Sequence, residues 1–282
     1  MELNEVKLTK QMAKVFSIAE QECKQRESRC LMPEHLFLGC LDGGSYPIKE
    51  AIQKSGMDID SLKNSCSHFH ENLSLVICEP IKTPFCQSTK LVIDQAISYM
   101  RNYNQIFLNE GHVLKALIKS GHTDRVLTPE QQNTFLSLAT VSRDMYLDLS
   151  GYCPQKQLYK NIRMVRNEDV ERLNLFIKEE FGARWTETIK QAVERHLPSI
   201  YIAEDQSGDI IGFAAFDTHQ PGYFGPMGVT KYKRARSIGE SLLHVCLEGM
   251  LKKGYKEIII HQAGPIEFYE KACNAKIIPL NE

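Results

Sequence analysis

The sequence lacks the patterns of several large classes of protein. It has no apolar run near the roughly 20 residues that cross a membrane, and its N-terminal stretch MELNEVKLTK has no apolar signal-peptide core. Its net charge is −1, from 34 basic and 35 acidic residues, so no overall field attracts nucleic acid. No G-x-x-x-x-G-K-[ST] motif occurs, which removes the usual cradle for nucleotide phosphates. We therefore expect neither nucleic acid nor a membrane as a partner.

The nine cysteines form no CxxC pair and no Cys/His zinc spacing. An odd, scattered set in a chain without an export signal is typical of reduced thiols in the cytoplasm. We therefore expect these cysteines to pack in the core of a cytoplasmic protein, with no disulfide and no metal site.

The pattern of apolar residues changes near the middle of the chain. With 282 residues, 43% of them hydrophobic and 24% charged, the chain is long enough for two globular domains, since one domain commonly has roughly 100–200 residues. Helical periodicities dominate the first half, whereas short apolar runs alternate with helical stretches in the second. Gly151 and Pro154 interrupt regular structure at the change. We expect an all-α domain over 1–150 and an α/β domain over 155–282.

The first half contains an internal repeat. The segment His35-Leu36-Phe37 corresponds to His112-Val113-Leu114, 77 residues later in the chain. The same offset relates apolar residues of the helices that precede these two segments. Each copy has an apolar helix, a turn and a second apolar helix. Such a duplicated unit buries a shared core that one copy could not complete. We expect both histidines to cap or pack at the start of a helix.

Two segments of this repeat, Met32–Leu41 and Glu110–Leu114, read MPEHLFLGCL and EGHVL. They resemble the T-E-H-(apolar)-L-L-G-L signature of the N-terminal domain of Clp-type protein-unfolding ATPases, over residues 7–145. The resemblance implies a duplicated four-helix fold that recruits protein substrates and adaptors. In some members the domain binds phosphorylated arginine near the signature glutamate. Only Glu34 is in place for that role, because Gly111 stands at the second position.

The second half predicts a mixed α/β domain. Its strands alternate with helices in the order β-α-β-β-β-α-β-α, and its clearest segments are the strands Ile200–Ala203, Ile210–Phe216 and Phe224–Val229 and the helices Glu240–Lys253 and Pro265–Cys273.

A basic segment precedes the first of those two helices. Lys231, Lys233, Arg234 and Arg236 follow one another without an acid between them. The free N–H groups at a helix start favour a phosphate, and arginine side chains can fork onto its oxygens. Gly239 permits a close approach of the backbone. The pattern predicts a phosphate-binding turn, with a solvated surface turn as the alternative.

Two further segments, Val229–Leu243 and Gly264–Lys271, read VTKYKRARSIGESLL and GPIEFYEK. They resemble the V-x-x-x-x-R-G-x-G-x-G-x-x-L-L signature and the F-Y-E-K helix of GNAT acyltransferases. The resemblance implies a largely antiparallel sheet with flanking helices and acetyl-CoA as co-substrate. It also implies direct transfer of the acyl group to an amine, on a small molecule or a protein, without an acyl-cysteine on Cys246.

The resemblance also implies roles for single residues. The turn amides hold the pyrophosphate, the strand before the turn pairs with pantetheine, and Tyr269 protonates the departing thiolate. The residues implied in cofactor binding are Met227, Val229, Arg234, Arg236, Ser237, Ile238, Gly239 and Glu240. Ser237 replaces a usual glycine, and Glu240 places a negative charge beside the phosphate. A GNAT-fold binding or regulatory protein that transfers no acyl group is therefore the alternative.

The general base and the acceptor are not evident from the sequence. Candidate bases at strand ends are Asp217, Glu204, His219 and His261. The alternatives are that each is a surface residue at a strand end, and that a bound water or bulk solvent takes the proton. The aromatic residues of the segment 181–197, which contains the single tryptophan, either line an acceptor pocket or pack in the core or on the surface.

The chain ends at Glu282, which leaves little room for the final strand usual in the GNAT family. We expect an open sheet edge, covered by a second copy in a homodimer or by the helical domain. The helical domain either recruits a protein partner or only stabilises the transferase.

Overall fold

The computed structural model describes residues 3–65, 74–103, 105–153, 159–194, 199–233 and 237–280. It divides the chain into two compact units, Met1–Val141 with Pro279–Glu282, and Ser142–Ile278. Among the helices of these described ranges, none has the length and apolar character needed to cross a bilayer.

The first unit is helical. Its helices are α1 (Lys10–Gln25), α2 (Pro33–Gly43), α3 (Tyr46–Lys54), α4 (Ile59–Ser65), α5 (Gln87–Asn102), α6 (Glu110–Lys119) and α7 (Pro129–Ala139). Four two-residue strands join them: β1 (Lys7–Leu8), β2 (Leu75–Val76), β3 (Phe85–Cys86) and β4 (Phe107–Leu108). Both copies of the repeat contribute to one core, in which Phe16 stacks on Phe85 at 6.2 Å between ring centroids.

The predicted repeat is confirmed by the backbone. The first and last residues of α1 and α5 are separated by the same number of residues as His35 and His112. Thr9 and Cys86 are the equivalent N-caps of these two helices. The N–H of Thr9 donates to the carbonyl of Leu108 at 3.0 Å, and the N–H of Cys86 donates to that of Leu31 at 3.1 Å. Each copy thus hydrogen-bonds to the other through equivalent positions.

His35 and His112 cap α2 and α6, as expected. The Nδ1 atom of His35 accepts the N–H of Met32 at 3.1 Å, and that of His112 accepts the N–H of Asn109 at 3.2 Å. A ring nitrogen can accept only when it is deprotonated. Burial, followed by a nearby cation, lowers the pKa of each imidazole to about 4 from the ordinary 6.5. Both rings are therefore neutral caps at neutral pH.

These caps predict a loss of stability in acid. Between pH 6.5 and pH 4 the unfolded chain binds more protons than the folded one, so stability is full above this window and falls as the pH decreases through it. The loss is on the order of 3 kcal/mol per imidazole. Calorimetric unfolding of the full chain measures it. Replacing both by glutamine, which accepts the same N–H without titrating, should flatten this dependence. An unchanged pH dependence in the double variant would contradict the assignment.

The second unit is a mixed sheet with helices on both faces. Its strands are β5 (Arg143–Asp148), β6 (Ile162–Met164), β7 (Ile200–Glu204), β8 (Ile210–Phe216), β9 (Tyr223–Val229), β10 (Glu257–Ala263) and β11 (Lys276–Ile277). Its helices are α8 (Val170–Phe181), α9 (Ala183–Glu194), α10 (Ile238–Lys252) and α11 (Ile266–Cys273). The strand order is β11-β5-β10-β9-β8-β7-β6, with β9 and β10 parallel and the other neighbours antiparallel. The predicted fold class is confirmed.

The sheet edge beside β10 is not open, contrary to our expectation. Strand β5 lies between β10 and β11, and Met145 pairs with both Ile260 and Ile277. This strand precedes the GNAT-like segment, so the neighbour of β10 comes from the start of the unit. In the sequence, the boundary between the two compact units lies between Val141 and Ser142, before β5, whereas we expected the domain boundary after this strand. An open sheet edge therefore no longer supports the expected homodimer, which stays a prediction.

Helix α9 was not among the expected elements. It occupies much of the segment that we considered as an acceptor pocket, and α8 and α9 together cover one face of the sheet. Helix α10 covers the other face with Leu242, Leu243, Cys246 and Met250, which are fully buried.

Candidate functional site

The sheet of the second unit opens between β9 and β10. The two parallel strands pair only at Tyr223 with Ile259 and at Phe224 with Ile260. Beyond these residues β9 continues beside β8 as far as Val229, and β10 continues beside β5. We call the space that begins after Phe224 the β9–β10 gap. Helices α10 and α11 follow β9 and β10 in the chain, so both begin near the end of this gap.

The backbone of β9 presents an amide to the gap. The N–H of Thr230 donates to the carbonyl of Ile211, so this residue points its amide at β8. Amides alternate between the two sides of a strand, which turns the N–H of Met227 away from β8 and toward the gap. Val229 has the same orientation. These are the two strand residues that the sequence implied in cofactor binding.

Helix α10 begins beside the end of β9. Ser237, its N-cap, has φ 56° and ψ 16°, and its side chain makes no capping bond. A positive φ favours glycine, which explains why glycine is usual at this position and why serine adds about 1–2 kcal/mol of strain. Ile238 is fully buried, and Glu240 lies in the first turn. Arg234 and Arg236 lie outside the described residues.

Gly239 has open space around its Cα. A Cβ added there would meet Val229 Cγ2 at 3.7 Å and Phe268 Cζ at 3.8 Å, which are ordinary contacts. Its φ is not in the positive range. The protein itself therefore imposes no steric need for glycine at this point between β9 and α11.

Tyr269 approaches the start of the gap from α11. Its ring packs edge-on against Phe224, with ring centroids 6.2 Å apart, and against Phe268 at 4.9 Å. The residue is 6% exposed, and burial raises the pKa of its phenol, with smaller contributions from Cys273 and Cys246. The phenol is protonated at neutral pH and can act as a proton donor.

Two of the four candidate bases make ion pairs and hydrogen bonds that stabilise the second unit. Glu204 accepts from Arg163 and from Arg172, each at 2.8 Å. Asp217 accepts the N–H of Gly222 at 2.9 Å and pairs with Lys253 at 3.1 Å. Both carboxylates are therefore engaged in ion pairs and turns of the unit.

The other two candidates lie together. The rings of His219 and His261 stack with centroids 4.6 Å apart, and Nδ1 of His261 lies 3.1 Å from Oδ1 of Asp144. Tyr223 contacts both histidine rings. Sequence reasoning missed Asp144, because it lies on the unexpected strand β5.

The aromatic residues considered for the acceptor pocket pack in the core. Phe181 stacks on Trp185 at 5.1 Å and lies edge-on to Phe213 at 5.9 Å. A Cβ at Gly228 would lie 2.4 Å from the ring of Phe181, so glycine is required there. Cys246 is fully buried, and burial raises the pKa of its thiol, which fits packing rather than nucleophilic attack.

The first unit has a separate cavity of about 220 Å³. It is lined by Met32, Pro33, Glu34, Cys86, Ser88, Gly121, His122 and Arg125. Oε2 of Glu34 is buried and accepts no hydrogen bond from any residue in the described ranges. A buried carboxylate oxygen without a donor is costly, so this atom suits a ligand that brings N–H groups.

Two family models match the chain. Residues 4–129 match the Clp repeat N-terminal domain, and residues 164–275 match the acetyltransferase (GNAT) family. No curated protein sequence matches the chain.

Solved structures of both kinds are similar to it. The N-terminal domain of the chaperone ClpD from Arabidopsis thaliana is 20% identical, with a TM-score of 0.40, over 49% of this chain and 94% of that one. A fungal multi-domain β-N-acetylglucosaminidase with a glucosamine N-acetyltransferase region is 14% identical, with a TM-score of 0.43, over 73% and 30%. The GNAT protein YhbS from Escherichia coli, in complex with CoA, is 18% identical, with a TM-score of 0.31, over 37% and 63%. The chain thus spans less than two thirds of both acetyltransferase structures.

Both resemblances seen in the sequence are confirmed by the two family models. The chain thus has a first segment that matches the Clp repeat N-terminal domain and a second segment that matches the acetyltransferase (GNAT) family.

Proposed function

We propose that the second unit is an acetyl-CoA-dependent N-acyltransferase that transfers the acyl group directly to an amine. The observation that carries this proposal is the β9–β10 gap, which has a buried phenol at its start and a helix N-terminus near its end. A thioester in the gap meets a proton donor where its sulfur leaves. The phosphates of the same cofactor meet partial positive charge at α10.

The described residues suit successive parts of acetyl-CoA. The N–H of Met227 can pair with a pantetheine amide, as another strand would. The first turn of α10, at Ile238 and Gly239, offers N–H groups to the pyrophosphate. Glu240, in the same turn, opposes this attraction.

The proton balance of the transfer involves Tyr269. The neutral amine attacks the thioester carbon, the carbon–sulfur bond breaks, and the thiolate takes the phenolic proton. The amine nitrogen loses one proton in the same reaction, so the products are an amide and free CoA. The raised pKa keeps the phenol protonated until the thiolate forms.

Binding is tested by calorimetry with acetyl-CoA on the full chain and on Gly239→Ala. The added methyl group fits the protein but points between β9 and α11, so we expect the affinity to fall at least about tenfold, or roughly 1.4 kcal/mol, with no loss of thermal stability. Gly151→Ala, whose Cβ meets nothing within 4 Å, is the control. Absence of binding to the wild type would overturn the proposal.

Turnover is tested with Tyr269→Phe, on a panel of polyamines, amino sugars and lysine-containing peptides. The variant keeps the ring contacts with Phe224 and Phe268 and loses only the proton donor. We expect kcat to fall by about 100-fold or more, with the KM for acetyl-CoA unchanged. Equal turnover in both proteins would remove the acid role from Tyr269. Binding without transfer to any amine would favour the alternative, a GNAT-fold binding protein.

We further propose that the first unit recruits a protein or peptide through the Glu34 cavity. The specific observation in its favour is Oε2 of Glu34, which is buried and has no hydrogen-bond partner among the described residues, and Arg125 adds a positive charge to the same lining. Such a pair suits a zwitterionic group such as phosphorylated arginine, which the Clp resemblance implies. A ligand held there is tethered to the transferase, which raises its effective concentration.

Recruitment is tested by calorimetry with an arginine-phosphorylated peptide and its unphosphorylated form. We expect the phosphorylated peptide to bind, and Glu34→Gln to weaken its binding about tenfold or more, since a charge-assisted hydrogen bond contributes roughly 1.5–3 kcal/mol. Glu130→Gln, at an exposed helix start outside the cavity, is the control. No binding of either peptide would contradict this role of the cavity.

A further inference from the structure

A polar cluster lies at the start of the β9–β10 gap, on the face opposite Tyr269. Tyr223 and Phe224 are neighbours on β9 and point to opposite faces of the sheet. Phe224 contacts Tyr269, whereas Tyr223 contacts the rings of His219 and His261. The cluster and the phenol therefore approach the same point of the sheet from two sides.

A bulge in β10 directs His261. The register with β5 shifts between Ile260 and Ala263, and Gln262 adopts a φ of 48°. A bulge re-aims side chains and often lies beside an active site. A non-glycine residue with positive φ is uncommon, so this conformation is held by its surroundings.

Asp144 holds the bulge and the imidazole together. Its Oδ1 accepts the N–H of Gln262 at 2.7 Å and lies 3.1 Å from Nδ1 of His261. An ionised carboxylate only accepts, so Nδ1 carries the proton and Nε2 keeps a free lone pair. The carboxylate thus fixes both the tautomer and the orientation of the ring.

We propose that His261 is the general base of the transfer and that Asp144 is its positioning residue. The proposal rests on the acyltransferase function proposed above. Nε2 takes the proton that the amine nitrogen loses as the carbon–nitrogen bond forms, directly or through one water. Tyr269 gives its proton to the thiolate on the opposite face, and solvent then restores both groups.

The surroundings of His261 are compatible with this role. Its side chain is 28% exposed and that of Asp144 is 35% exposed, so an acceptor can reach them from solvent. The negative charge of Asp144 stabilises the imidazolium that forms. Among the described residues, the titratable side chains in ring contact with His261 are His219, which stacks on it, and Tyr223. Glu257, on the same face of β10, is instead bound to Tyr146 at 2.9 Å.

The test compares His261→Gln, His261→Asn and Asp144→Asn in the full chain, with the amine panel and acetyl-CoA. We expect kcat to fall about 100-fold or more in the His261 variants and about tenfold or more in Asp144→Asn. The KM for acetyl-CoA should stay unchanged. In the His261 variants the acid limb of the kcat/KM pH profile should move to higher pH, where the amine itself becomes neutral, because the protein no longer offers this base for its proton. Tyr146→Phe, on the same face of β5, should match the wild type.

The outcomes separate this inference from the function on which it rests. If the wild type neither binds acetyl-CoA nor acetylates any amine, the acyltransferase function fails and the base role falls with it. If the wild type transfers the acyl group and both His261 variants keep its kcat and pH profile, only the base role is overturned. Equal thermal stability of all variants shows that a loss of kcat is not a loss of fold.

Discussion

The pairing of β5 with β10 is the interaction on which the second unit depends. A strand that leaves its neighbour exposes a row of backbone groups, which favours pairing with something else. Strand β10 leaves β9 after Ile260, yet it keeps a neighbour on its other side, because Met145 of β5 pairs with Ile260 and Arg143 of β5 pairs with Ala263 beyond the bulge. The sheet can therefore open beside β9 and stay continuous beside β5. The gap, the helix starts at its end and the groups around its beginning all follow from this arrangement.

The β9–β10 gap also separates the proton donor from the proton acceptor that we propose for the transfer. A reaction that gives one proton to sulfur and takes one from nitrogen needs a donor and an acceptor that do not meet each other. Successive side chains of a strand point to opposite faces of the sheet, which supplies this separation. Phe224 contacts Tyr269 on one face, and Tyr223 contacts His261 on the other. Burial keeps the phenol protonated, while a carboxylate orients the imidazole. The two environments differ because one face is covered by α11 and the other is partly open to solvent.

In the first unit, the two copies of the repeat share their backbone positions more closely than their side-chain groups. Thr9 and Cys86 cap equivalent helices with a hydroxyl and a thiol, and His35 and His112 accept equivalent amides. Hydrogen bonds between the copies require these backbone positions, whereas side chains outside the shared core can differ. Glu34 has no carboxylate counterpart in the second copy, because Gly111 stands there, so the two copies of the repeat present different groups.

The sequence by itself determined the helical repeat and the order of most elements in the second unit, and its resemblance to the GNAT family implied roles for Met227, Gly239 and Tyr269 that stay predictions. These follow from periodicity, from a fixed offset and from motifs only a few residues long. It did not indicate β5, where Arg143 occupies a buried position that an apolar residue usually takes and donates to the carbonyl of Ile278 at 2.9 Å. It also could not rank the four candidate bases. Only the tertiary structure placed Asp144 beside His261 and engaged Glu204 and Asp217 elsewhere, because strand pairing joins residues far apart in the chain and no local pattern encodes the partner.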